Sequence, residues 1–100
     1  MGSFRVLPGA EAELDDIWLY VARESNSIEV ANRLIDNITD RFWLLAKHRQ
    51  IGRRRDHDLH SGLRSFPVGE YVIIYRIEGE EVLILHVMPG SRDIESLLGE

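Results

Sequence analysis

The sequence predicts an α+β fold in which a helical hairpin packs on one face of a mostly antiparallel sheet. Three observations predict it: two consecutive segments with apolar residues at helical spacing, one strand-like segment before them, and three strand-like segments after them. The predicted order is β-α-α-β-β-β with a short C-terminal helix. A chain of 100 residues is the size of one domain, so we expect residues 1–100 to fold as a single unit.

The N-terminal strand and first helix are predicted by two different periodicities. The segment SFRVL alternates Phe4 and Val6 on one face, which is typical of a short strand, and Pro8 and Gly9 are expected to end it. A helix to about Glu24 is then indicated by acidic residues at its start and by apolar residues at helical spacing: Leu14, Ile17, Trp18 and Val21.

The second helix is predicted to follow after a very short break. Asn26 or Ser27 is suited to cap it, and it is expected to stop near His48. Its apolar stripe repeats at helical spacing and consists of Leu34, Ile38, Phe42 and Leu45. Because the loop between the helices is short, the two are expected to be antiparallel.

The C-terminal half is predicted to hold the sheet. LRSFPV (residues 63–68) is expected to be a strand at an edge, because Pro67 has no amide hydrogen to donate. EYVIIYRI and VLILHVM flank a turn at residues 78–81 and predict a hairpin at the centre of the sheet, since their nearly continuous apolar content suits burial on both faces. Ser91 is suited to cap a last short helix that carries Ile94, Leu97 and Leu98.

The charge and composition exclude several classes of protein. The net charge of −5 and pI near 5.3 argue against a protein that mainly grips a phosphate backbone. The sequence has no apolar run of membrane-spanning length and no secretory signal pattern, so a cytoplasmic location is expected. With no cysteine, it has neither disulfides nor a thiol nucleophile. One cluster departs from the acidic average: Lys47, Arg49, Arg53, Arg54 and Arg55.

Residues 49–62 are predicted to form a long polar loop with two open interpretations. Arg53, Arg54 and Arg55 suit contact with an acidic partner or a phosphate, but runs of charge also occur as solvated loops. The following residues include metal-ligand types at close spacing, namely Asp56, His57, Asp58 and His60. We expect a polar loop there rather than a metal site, because no ligands on regular elements accompany them.

Other polar and aromatic residues in the predicted strands and helices also have two interpretations. Tyr75, Arg76 and His86 could support acid–base chemistry on RNA, but no lysine or carboxylate at matching spacing completes such a site, and ordinary strand roles are expected. Arg64 is expected either to pair with a carboxylate or to face a binding groove. Trp18 and Trp43 suit core packing or exposed anchoring of a partner.

Three stretches resemble the ParE toxins of bacterial toxin–antitoxin modules. AEAELDDIWLYVARES is similar to their first helix, and GRRRDHDL resembles their glycine–arginine loop. GLRSFPVGEYVIIYRIEGEEVLILHVMPGSRDIESLL is similar to their C-terminal half almost throughout. The resemblance spans nearly the whole chain and implies the RelE/ParE toxin fold.

The resemblance also implies a function and partners. A ParD-like antitoxin would neutralise the chain, and DNA gyrase would be its target, inhibited by binding, with growth arrest as the result and no cofactor required. DNA would be contacted only through the antitoxin, and no membrane partner is implied. The alternatives are a RelE-like interferase that cuts messenger RNA on the ribosome, with Tyr75, Arg76 and His86 as candidate catalytic residues, and a degenerate toxin that only binds its antitoxin. The predicted partner-binding residues are Arg53, Arg55, Arg64 and Arg92.

Overall fold

The structure is a computed structural model and describes residues 2–90. Its elements are β1 (Ser3–Val6), α1 (Pro8–Ser25), α2 (Ile28–Lys47), β2 (Arg53–Arg54), β3 (Leu63–Val68), β4 (Tyr71–Glu78) and β5 (Glu81–Pro89). The predicted α+β class and helical hairpin are confirmed. The predicted C-terminal helix with Ile94, Leu97 and Leu98 lies outside the described residues.

The helical hairpin is set by its caps. Ser27 caps α2, its Oγ accepting a hydrogen bond of 3.1 Å from the Val30 amide. Asn26 precedes it with a φ of 56°, a left-handed conformation that turns the chain sharply after α1. β1 ends at Val6, before Pro8, as expected, and Pro8 also begins α1, because proline's fixed φ and missing amide hydrogen are favourable in the first turn of a helix.

The five strands form one mixed sheet in the order β1-β5-β4-β3-β2. β1 runs parallel to β5, and the other neighbours are antiparallel. The expected central position of the β4–β5 hairpin is confirmed. The long-loop prediction for residues 49–62 was wrong in one respect, because β2 adds two residues to the sheet beside Arg64 and Ser65. Pro67 lies beyond that short pairing, where no strand of residues 2–90 lies on the outer side of β3.

The main core lies between the helices and one face of the sheet. Its largest buried side chains come from α2 and the central strands: Ile38, Phe42, Leu45, Ile73, Tyr75 and Ile84. The opposite face carries a smaller buried cluster of Leu59, Leu63, Val72, Ile74 and Met88. Both faces of the central strands are therefore covered, as their apolar sequence predicts. Neither helix of the described region is long and apolar enough to cross a membrane.

Candidate partner-binding surface

The segment after α2 is fixed to the sheet by Tyr75. This residue is fully buried in β4, and its hydroxyl donates to the Arg49 carbonyl at 2.7 Å and accepts from the Gly52 amide at 2.8 Å. A Cβ at Gly52 would lie 2.2 Å from the Tyr75 oxygen, so only glycine fits there. Burial raises the pKa of the Tyr75 phenol, which keeps it protonated as a donor at neutral pH.

Arg64 holds the same segment from the neighbouring strand. It is the cross-strand partner of Tyr75, and its Nη1 donates to the carbonyls of Gln50 at 3.2 Å and Gly52 at 3.0 Å. Neither sequence interpretation, a carboxylate pair or an arginine facing a groove, describes this arrangement. Arg64 instead satisfies backbone acceptors that a short loop leaves without partners of their own.

The three consecutive arginines have three different environments. Arg53 is exposed on the edge strand β2. Arg54 is also exposed and pairs with Asp56 at 2.6 Å. Arg55 has only 13% of its side chain exposed, pairs with Asp58 at 2.6 Å and donates to Ser65 Oγ at 3.1 Å. The sequence pattern suggests that Arg55 is directed to solvent or lies at a rim, whereas its mostly buried guanidinium closes the loop on the sheet.

The two acidic residues between the arginines and β3 both accept hydrogen bonds from neighbouring groups. Hydrogen bonding from the Gly62 amide and from Arg54 lowers the pKa of Asp56, and hydrogen bonding from Arg55 lowers the pKa of Asp58. Within residues 2–90, no group of three His, Asp or Glu side chains is arranged to hold a metal ion. The loop is therefore a network of charge-assisted hydrogen bonds rather than a flexible solvated run.

The alternative catalytic residues do not converge. Tyr75 faces the helices, while Arg76, the next residue on β4, points to the opposite face and pairs with Glu78 at 3.0 Å. His86 lies elsewhere, on β5, with its Nδ1 3.1 Å from Glu13 Oε2 on α1. Tyr75 and Arg76 cannot act from one face of the sheet, because adjacent strand residues alternate between faces.

Glu13 is a structural residue that sequence reasoning missed. Besides His86, it accepts a hydrogen bond of 2.9 Å from the Val87 amide, next to an irregularity in the β4–β5 register after Ile74. The Glu13 carboxylate thus joins α1 to β5 by accepting a backbone hydrogen bond from the strand. The residue looked in the sequence like one of several acids favouring a helix start, so nothing marked it.

The two tryptophans have different environments on the helices. Trp18 donates from its indole to Asn32 Oδ1 at 2.7 Å and so links the two helices. Trp43 is 64% exposed and packs edge-on against Phe4, with ring centroids 4.7 Å apart. Arg92 lies outside the described residues.

This helical hairpin packed on a mixed sheet is the RelE/ParE toxin fold. Two solved structures share the fold. The chromosomal ParDE toxin–antitoxin system from P. aeruginosa matches with a TM-score of 0.76 and 22% identity, over 89% of this chain and 96% of that one. The RelBE2 toxin–antitoxin complex from Mycobacterium tuberculosis matches with a TM-score of 0.67 and 20% identity, over 88% and 96% of the two chains.

Sequence comparisons narrow this class to one family. The family model of the ParE toxin of the type II toxin–antitoxin system parDE matches residues 4–94, and the chain belongs to this family. Among curated proteins of Caulobacter vibrioides, Toxin ParE3 is 34% identical over 88% of this chain and 86% of its own length. Toxin ParE1 is 30% identical over 99% and 100%, and Toxin RelE3 is 30% identical over 87% and 92%. The chain is thus a ParE-type toxin of a type II toxin–antitoxin system.

Proposed function

We propose that this toxin inhibits DNA gyrase by binding and is neutralised by a ParD-like antitoxin in the cytoplasm, causing growth arrest when the antitoxin is lost. The observation that carries binding over catalysis is the dispersal of Tyr75, Arg76 and His86. Each has a structural partner, and the first two lie on opposite faces of the sheet. General acid–base catalysis needs its groups within hydrogen-bond reach of one substrate, which this arrangement does not support.

Within the predicted partner-binding set, Arg53 is the arginine best placed to contact a partner directly. It is exposed on an edge strand, whereas Arg55 and Arg64 hold the loop through Asp58, Ser65 and backbone carbonyls. An edge strand also offers unpaired backbone groups to a partner segment. We propose that Arg55 and Arg64 support binding by fixing this surface, and Arg92 remains a predicted contact.

The test is a supercoiling assay with purified toxin, purified gyrase, ATP and relaxed plasmid. The proposal expects loss of supercoiling or trapped cleaved plasmid, and it expects the antitoxin to prevent both when it is added before the toxin. Unchanged supercoiling at high molar excess of a folded toxin would overturn it. A parallel reaction with ribosome-bound messenger RNA addresses the interferase alternative: RNA cleavage that Arg76→Ala or His86→Ala abolishes without unfolding the chain would establish an enzyme. Antitoxin binding with neither activity would indicate a degenerate toxin.

A further inference from the structure

An open groove lies between α1 and the end of the central hairpin, away from the arginine-rich segment. Its volume is about 1010 Å³. Its apolar floor includes Ile17 and Val87, which are 7% and 1% exposed. The arginine-rich segment packs beside the first residues of β3, whereas Gly69 and Glu70 of this groove follow its last residue. The two surfaces are therefore at opposite ends of one strand.

The rim of the groove is acidic. Glu13, Asp16 and Glu70 line it, and none of its described lining residues is a lysine, arginine or histidine. Asp16 and Glu70 are exposed and form no ion pair with another described residue. Glu13 is held by His86 and the Val87 amide, whereas Asp16 and Glu70 have no cationic partner among residues 2–90. Carboxylates clustered on a concave surface raise the local concentration of cations.

Two tyrosines stand among these carboxylates. Tyr20 projects from α1 and is 61% exposed, and Tyr71 begins β4 and is half-buried. Burial raises the pKa of the Tyr71 phenol, and the nearby Glu70 and Tyr20 raise it further. Aromatic faces beside carboxylates favour guanidinium and ammonium groups through cation–π contact.

We propose that this groove binds an extended, cationic peptide segment of the antitoxin, in which an arginine or lysine is flanked by apolar residues. The acidic rim and tyrosine faces take the cation, and the apolar floor takes its neighbours. The inference rests on the proposed neutralisation by an antitoxin. It gives the toxin a second, acidic contact surface for the antitoxin, whereas the contact expected at Arg53 is basic. A partner of this chain would then carry both an acidic and a basic segment.

The test compares two double variants with the same net charge. Asp16→Asn with Glu70→Gln removes both free rim charges, while the control, Asp15→Asn with Glu24→Gln, removes two exposed α1 charges that do not line the groove. The probe is a purified ParD-like antitoxin that binds the unmodified toxin, titrated at low and high salt. We expect the rim variant to raise Kd about tenfold at low salt and to weaken the salt dependence. The control should stay within about twofold of the unmodified toxin.

A third variant, Tyr20→Ala, tests the aromatic contribution, with an expected rise in Kd of about tenfold. Circular dichroism checks folding, and all substituted side chains are exposed. Equal Kd and equal salt dependence for rim variant and control would overturn the groove assignment while leaving antitoxin binding intact. A rim variant that keeps its antitoxin affinity but loses gyrase inhibition or self-association would also overturn the groove assignment. If no ParD-like antitoxin bound the unmodified toxin, the proposed neutralisation would be overturned instead, and the groove assignment with it.

Discussion

The Tyr75 hydroxyl uses both its donor and its acceptor on the backbone of the segment after α2. The burial of Tyr75 could be predicted from its apolar strand. Its hydrogen-bond partners could not, because they are the backbone carbonyl of Arg49 and the backbone amide of Gly52, and every residue type except proline has both groups. The same holds for Arg64, whose acceptors are also carbonyls. A structural role for these residues follows from loop geometry, which a pattern of side chains does not specify.

Tyr75→Phe is expected to lower the free energy of unfolding by about 1–3 kcal/mol, since it removes two hydrogen bonds and leaves a buried amide without its acceptor. Urea denaturation measures the change, with Tyr20→Phe at an exposed site as the control. If the two variants unfold at the same urea concentration, the Tyr75 hydroxyl does not anchor the segment.

Asp58 is expected to make stability depend on pH in the acid range. Its pKa is lowered below 3.8 by hydrogen bonding from Arg55, so the folded state favours the ionised carboxylate. Its contribution is fully present above the unfolded pKa and is lost as pH falls through the folded pKa. Denaturant titrations between about pH 6 and pH 2 should give a shallower acid loss for Asp58→Asn than for the unmodified toxin. Identical pH profiles would contradict the pairing.

At the scale of elements, periodicity and caps predicted most of the structure. Both helices, the central hairpin and a cap at Asn26 or Ser27 were visible in the sequence because each depends on local spacing or one side chain. β2 was not visible: two exposed arginines carry no alternating pattern, and they pair only because Arg64 and Tyr75 bring the segment to β3. Pro8 was ambiguous, since proline both ends strands and begins helices.

Ser27→Ala is expected to lower the free energy of unfolding by about 1 kcal/mol, because the Val30 amide loses its cap acceptor. Ser27→Asp keeps an acceptor at the same position and should recover most of the loss. Thermal and urea unfolding followed by circular dichroism measure both. A cap role is excluded if the alanine and aspartate variants are equally stable.

At the scale of the whole molecule, the acidic average conceals two surfaces of opposite sign at the two ends of β3. The net charge argued against a phosphate-binding function, but it did not show where the positive and negative side chains lie on the surface. The arginine-rich end was recognisable as a run in the sequence. The groove was not, because Asp16, Glu70 and Tyr71 come together only when α1 packs over the end of the hairpin.

Arg53→Ala and Arg55→Ala should separate binding from folding. Arg53→Ala is expected to change the free energy of unfolding by less than about 0.5 kcal/mol and to weaken partner binding, because its side chain is exposed on an edge strand. Arg55→Ala should destabilise the fold measurably, since it breaks contacts to Asp58 and Ser65. Urea unfolding, growth arrest and antitoxin affinity are measured for both.

If Arg53→Ala proves the more destabilising of the two, the division between an exposed contact and a buried support is wrong. If alanine variants of Arg53, Arg55, Arg64 and Arg92 all remain fully toxic and still bind the antitoxin, the predicted partner-binding set fails as a whole.

The parallel pairing of β1 with β5 has a consequence for how the toxin is made. Ser3–Val6 is translated more than 70 residues before its hydrogen-bonding partner Glu81–Ile84. Until then the helical hairpin has no sheet to cover its apolar stripe, and the nascent chain has no assembled surface on either end of β3. Pairing between such distant segments is also slow. During translation there is therefore an interval in which much of the polypeptide exists but neither of the two proposed binding surfaces has formed.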